Sequence, residues 1–282
     1  PGGIRMSSIR EALKRAERER QARLGHDPSP AARNEGSAAP DTRDVAPPRP
    51  AAQPEVPPAD LRVVHPSPVR LVEVPIELAE ELARFQHGVE SALPQPHRTL
   101  AMTSASGGEG TTTLTVMLGT SLAVRDGRKT CIIDANFKSP RATGIFGLLG
   151  QPGFSDYCAG DAELNTVLRR TESPDLFVMG IGTNVVNPSL VLGHERARGL
   201  AAMLGQRFDY VLFDCGPTLT HAETSQVAAT TDGAVLVVRA HRTKREVLSK
   251  AEKMIRFSGG KVIGTVLNRR HFPIPDTIYR RL

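Results

Sequence analysis

Ala105-Ser106-Gly107-Gly108-Glu109-Gly110-Thr111-Thr112-Thr113 is the stretch whose reading decides the fold. A short apolar run at 99–103 precedes it, and a helical pattern at 114–124 follows. Strand, glycine-rich turn and helix in that order form a phosphate-binding loop. Glycines let backbone N–H groups close around an anion, and the helix N-terminus adds partial positive charge. Such loops read Gly or Ala, four residues, then Gly-Lys-Ser/Thr. Here Ala105 is followed by four residues and Gly110, but Thr111 stands where the lysine belongs, and Thr112 follows. The architecture of the loop is present and its cation is missing. The loop alone leaves open whether the chain is a working nucleotide enzyme or one that kept the fold and lost the chemistry.

Outward from this loop, strand and helix alternate. Strands are predicted at 99–103, 130–134, 176–179, 210–214, 233–239 and 262–267. Helices are predicted near 112–125, 161–170, 193–206, 222–230 and 243–257. Short apolar strands separated by amphipathic helices predict an α/β fold, a mostly parallel sheet with helices on both faces. Ligands of such sheets bind at the carboxyl ends of the strands. Two apolar strands end there in an acid: Cys131-Ile132-Ile133-Asp134 and Val211-Leu212-Phe213-Asp214. A buried strand that delivers an aspartate beside a phosphate loop makes a magnesium site, because Mg²⁺ keeps several waters and needs only one or two carboxylates. Either aspartate alone would serve equally well to cap a turn.

The rest of the chain divides by composition. Residues 1–5 precede Met6 and read as added or upstream residues. Residues 6–24 predict a short helix, with Ser8 and Glu11 as a capping box and Ile9, Leu13 and Ala16 on one face. Alone it is a solvated helix; with a partner or an anionic membrane surface it is a docking one. Residues 25–74 are rich in Pro, Ala, Asp and Arg and predict a disordered linker. Residues 75–282 form the phosphate-loop domain, opening with Ile76, Leu78, Leu82, Phe85 and Val89 at helical spacing. A formal net charge of +6 fits a mildly basic solvated surface, so no nucleic acid is expected. Three cysteines without metal-type spacing predict a reduced, cytoplasmic protein. No run reaches the roughly 20 apolar residues of a membrane span.

From about residue 75 onward the chain resembles the bacterial tyrosine kinases of capsule and exopolysaccharide systems, the CpsD/CapB type, which belong to the P-loop ATPases that include ParA and MinD. The phosphate loop at 105–112, the second motif at 131–138 and the third at 211–217 carry the resemblance, in order and at similar distances. Gly153-Phe154-Ser155-Asp156-Tyr157, Asn187-Pro188-Ser189 and Gly264-Thr265-Val266-Leu267-Asn268-Arg269 support it. The resemblance implies a P-loop NTPase fold with ATP or ADP and Mg²⁺ as cofactors. It implies that Gly107, Gly108, Glu109, Gly110, Thr111, Thr112 and Thr113 hold the phosphates through the backbone. Thr112, Asp134 and Asp214 would hold the metal, Asp134 and Asp214 would serve catalysis, and Asn268 would approach the adenine. It also implies a partner, the cytoplasmic segment of a membrane polysaccharide co-polymerase, which would place the protein at the inner face of the cell membrane.

The departures from the family pattern matter as much. Thr111 replaces the loop lysine, and Ser106 stands at the extra signature lysine of ParA-like ATPases. Asn136 replaces the second aspartate of the second motif, and Lys138 its arginine. The tyrosine-rich tail is reduced to Tyr279. Glu81, Arg84 and His87 match the ring-forming Glu-x-x-Arg-x-x-Arg pattern only in part, which puts a family-type ring in doubt and leaves a dimer open. A charge-assisted hydrogen bond contributes about 1.5–3 kcal/mol, so losing one weakens binding roughly tenfold to a hundredfold. The expectation is a degenerate, pseudokinase-like regulatory or scaffolding subunit. Its rivals are an active tyrosine kinase that uses Lys138 or a partner's cation as a substitute, and a ParA/MinD-like positioning ATPase. Three further features read as bland. His221 with Glu223 reads as a solvated loop, Cys215 lacks a Cys-x5-Arg cradle, and Arg239, Arg242, Lys244 and Arg245 form a basic cluster at a strand end that either attracts phosphate or an acidic partner or is simply a solvated helix start.

Overall fold

The computed structural model describes residues 69–183 and 187–269, so the expectations for residues 6–24, for most of 25–74 and for Tyr279 lie outside the described residues. Seven strands form one sheet: β1 Arg98–Ser104, β2 Thr130–Ala135, β3 Arg169–Arg170, β4 Leu176–Met179, β5 Tyr210–Cys215, β6 Gly233–Arg239 and β7 Val262–Asn268. Their order is β3-β4-β2-β5-β1-β6-β7. Every neighbouring pair is parallel except β3 with β4. Every residue of β1, β2, β4 and β5 is buried. Such strands need helices on both faces, which is why they read as unbroken apolar runs rather than alternating ones.

Helix α1 (Ala79–Ala92) follows a single 3-10 turn at Ile76–Leu78 and turns Leu82 and Val89 into the core. The Tyr210 hydroxyl donates to Glu90 Oε1 at 2.8 Å and ties α1 to the sheet. Arg84 lies on its solvent face, 3.2 Å from Glu80 and 3.8 Å from Glu81. Helix α2 (Thr111–Val124) packs on the middle of the sheet. Gly119 permits this approach, since a Cβ there would stand 2.6 Å from Ile132 Cδ1. On the opposite face Phe137, Phe154 and Phe213 stack in sequence, with ring centroids 5.9 and 6.1 Å apart.

The remaining helices are α3 (Arg141–Ile145), α4 (Phe154–Ala159), α5 (Leu164–Val167), α6 (Pro188–Gly193), α7 (Glu195–Gly205), α8 (Ala222–Ala229) and α9 (Arg245–Phe257). Helices α3, α4 and α6 escape the sequence reading because five or six residues do not complete two turns, so no periodicity emerges. The helix predicted at 161–170 is cut to four residues. Leu164 and Val167 are buried in α5, but Leu168 is already extended, and Arg170 pairs with Phe177 across an antiparallel edge. Edge pairing outweighs the local helical pattern here. Val69, placed by composition in the linker, bridges Thr171 at this edge, with Val69 N on Arg170 O at 3.0 Å and Glu172 N on Val69 O at 3.0 Å.

Candidate functional site

The phosphate loop leaves the C-terminal end of β1, the central region of the sheet, and enters α2. Gly110 is the N-cap of α2, at φ 90, and no side chain caps the helix. The first-turn N–H groups are therefore left to an external anion. A left-handed backbone at this point favours glycine, and a side chain there would also collide with the Asn268 amide. Asn268 Nδ2 donates to Glu109 O at 2.9 Å, so the end of β7 clamps the loop. Glu109 is buried and its Oε1 accepts from Thr243 Oγ1 at 2.6 Å, while Oε2 has no partner. Ser104 Oγ closes the other side by donating to Ser106 O at 2.9 Å. Thr111 is buried, Thr112 half-buried and Thr113 exposed.

The two aspartates sit side by side, Asp134 opposite Asp214 in the β2–β5 register. Their surroundings differ sharply. Asp134 Oδ1 accepts from Asn136 N at 3.0 Å, and Oδ2 accepts from Thr143 N at 2.7 Å and Thr143 Oγ1 at 2.8 Å. Asp214 is fully buried, and neither of its oxygens has a partner. Burial raises the pKa of Asp134, and its bonds to Thr143 and Asn136 pull it back. Burial raises Asp214 well above the ordinary range, and the neighbouring Asp134 charge adds to this. The Thr112 hydroxyl and the Arg141 charge act in the opposite direction.

An orphaned, buried carboxylate beside a phosphate loop fits a divalent cation. No group of three or more His, Cys, Asp or Glu that would cage a metal unaided occurs among the described residues. Such a cation would rely on phosphate and water oxygens, as Mg²⁺ does. Asp214 and Thr112 would hold it directly, with Asp134 behind them. Among this chain's own residues, the loop amides would bind phosphate, Asp214 would offer the open carboxylate, and Thr143 orients Asp134.

Thr143 has no counterpart in the sequence reading. It lies nine positions beyond Asp134 in a helix too short to show a pattern. Its hydroxyl also accepts from Ile181 N at 2.8 Å and thus links Asp134 to the turn after β4. Thr143→Val keeps the shape and removes both bonds. It is expected to cost about 1–3 kcal/mol, read as a lowered midpoint in urea unfolding.

Lys138 is exposed, and its Nζ donates to Thr220 O at 2.9 Å. Asn136 accepts from Ser139 N at 3.2 Å and shapes the same loop. His221 is held below its ordinary pKa by partial burial first and then by the Lys138 charge. Glu223 corrects the solvated-loop reading: it is buried, with Oε1 unpartnered, because α8 turns it under the β5 end. Cys215 is buried and free, and burial raises its thiol far above the reactive range.

Glycine loop, paired aspartates and parallel strand order together define a P-loop fold of the α/β class. A family model described as an AAA domain matches residues 97–256. Tyrosine-protein kinase CpsD of Streptococcus agalactiae is 33% identical over 174 residues, which cover 61% of this chain and 76% of that protein. The kinase domain of the Escherichia coli tyrosine kinase ETK superposes with a TM-score of 0.63 at 23% identity, over 70% of this chain and 78% of that one. The septum site-determining protein MinD of Pyrococcus horikoshii, complexed with Mg-ADP, superposes at 0.50 with 22% identity, over 65% of this chain and 76% of that one. The chain belongs to the bacterial tyrosine kinase family of the CpsD type.

Proposed function

We propose that this protein is a kinase-like subunit that binds ATP or ADP with Mg²⁺, transfers phosphate poorly, and acts as a regulatory or scaffolding component in bacterial capsule or exopolysaccharide synthesis and export. One observation carries the reading: a formed phosphate loop with buried Thr111 in place of its lysine. Backbone amides of residues 107–113 support ground-state binding. Phosphoryl transfer depends instead on charges aimed at the transition state, and Thr111 and Asn136 remove two of them. A bound Mg²⁺ would neutralise phosphate charge beside Asp214. The family context supports a partner at the inner face of the membrane, the cytoplasmic segment of a polysaccharide co-polymerase. Among the described residues no helix is long and apolar enough to cross a membrane.

The rival reading makes Lys138 the catalytic cation of an active kinase. Its ammonium is engaged by Thr220 O, which favours a structural role. Calorimetric titration of the full chain with ATP and ADP, with and without Mg²⁺, tests the first half of the proposal. Magnesium-dependent binding is expected, with the magnesium dependence lost in Asp214→Ala. A transfer assay with a tyrosine substrate and the partner segment tests the second half. Robust transfer abolished by Asp214→Ala would show a working kinase and end the regulatory reading.

A further inference from the structure

The basic cluster lies at the turn between β6 and α9, where Arg239, Arg242, Lys244 and Arg245 fall within seven residues. Strand β6 ends at Arg239, opposite Asn268 of β7. The turn closes through Arg242 N and Thr243 N on Arg239 O, at 3.3 and 3.2 Å. His241 adopts φ 60, a left-handed backbone that few residues other than glycine take up. Something must therefore hold the turn in place, and the Thr243 hydroxyl does so by donating to Glu109 Oε1 at 2.6 Å. Glu109 belongs to the phosphate loop, and its carbonyl is clamped in turn by Asn268. Phosphate loop, β7 end and basic turn are one hydrogen-bonded unit with Glu109 at its centre. The second Glu109 oxygen is buried and unpartnered, which leaves an acceptor at the junction for an incoming cationic side chain.

Arg242 and Lys244 stand on either side of Thr243, both exposed and both without an ion-pair partner among the described residues. Two cations at the opposite side of the site already have a role. Lys138 is bonded to Thr220 O, and the Arg141 charge acts on Asp214. We propose that Arg242 and Lys244, carried on a turn fastened to the phosphate loop, supply the positive charge to nucleotide phosphates that Thr111 cannot. This rests on the nucleotide-binding reading above and names the cations that would make it work. A charge-assisted bond of this kind changes affinity by roughly tenfold or more. Because the cations meet phosphates rather than the base, the effect should grow with phosphate number.

The test is calorimetry of the full chain with AMP, ADP and ATP in Mg²⁺, for the parent and for Arg242→Gln/Lys244→Gln. Thermal unfolding checks that both remain folded. The expected result is an ATP affinity about tenfold or more weaker in the double variant, a smaller loss for ADP and little change for AMP. Arg242→Lys with Lys244→Arg should retain the parent affinity. ATP affinity within about twofold of the parent would overturn the proposal, as would an equal loss for all three nucleotides, which would place the turn on the base or ribose. No ATP binding by the parent would instead refute the nucleotide reading itself, and this assignment with it.

Discussion

Thr111→Lys is expected to tighten ATP and ADP binding roughly tenfold to a hundredfold, because it adds a charge-assisted contact of about 1.5–3 kcal/mol to a loop that is already shaped for it. The fold should tolerate the change. Position 111 is the first residue of α2, where a lysine meets the positive end of the helix at a cost of about 0.3–1 kcal/mol, small beside the stability of a folded domain. The hydrogen bond at this residue runs from Thr115 Oγ1 to the 111 carbonyl, at 2.9 Å, and survives any side chain. Transfer should respond less than binding, since Asn136 still occupies the place of the second acid. The basic turn sharpens the prediction. If Arg242 and Lys244 already neutralise phosphate, the gain from Thr111→Lys should be larger in the Arg242→Gln/Lys244→Gln background than in the parent, a coupling that a double-mutant cycle reads directly. Equal affinity of parent and Thr111→Lys in calorimetry would show that the phosphates do not sit at this loop.

The sheet was legible because buried parallel strands are unbroken apolar runs. The predicted bounds of β4 and β6 coincide with the observed ones, and those of β2, β5 and β7 fall one residue short. Strand β3 was not legible, since two residues cannot announce a strand and their pairing depends on the distant β4. The phosphate loop was legible as a local pattern of glycines. The difference between the two aspartates was not. Each ends an apolar strand in the same way, and only Thr143 and the Asn136 amide, placed by folding, give Asp134 partners and leave Asp214 none. Asn268, expected beside an adenine, has its amide on the phosphate loop's own carbonyl. That contact spans 159 positions and has no local signature. Thr243 belongs to the same class: its neighbours' charge was visible, its bond to Glu109 was not.

Asp214→Asn should make the protein more stable while removing the magnesium dependence of nucleotide binding. In metal-free buffer the native fold holds a fully buried carboxylate with no partner on either oxygen, next to a second carboxylate. Unsatisfied buried polar groups cost about 1–3 kcal/mol, and charged ones more. The amide retains a desolvation cost but carries no charge, so a gain of about 1–3 kcal/mol at neutral pH is expected, roughly 2–4 °C in Tm for each kcal/mol at this domain size. The sign with pH follows from linkage. The folded-state pKa of Asp214 is raised above its ordinary 3.8, so the folded protein binds the extra proton between that value and the raised one. Its stability therefore falls as pH rises through this window. Below the window both side chains are neutral and the variant's advantage should shrink; above it the advantage should be full. Thermal unfolding of both proteins in EDTA at acid and at mildly alkaline pH measures it. A variant that is less stable at alkaline pH, or equally stable at every pH, would mean that Asp214 is not strained in the free protein. A stabilised variant that has lost its magnesium response would identify Asp214 as a position kept at a cost in stability for the sake of the site.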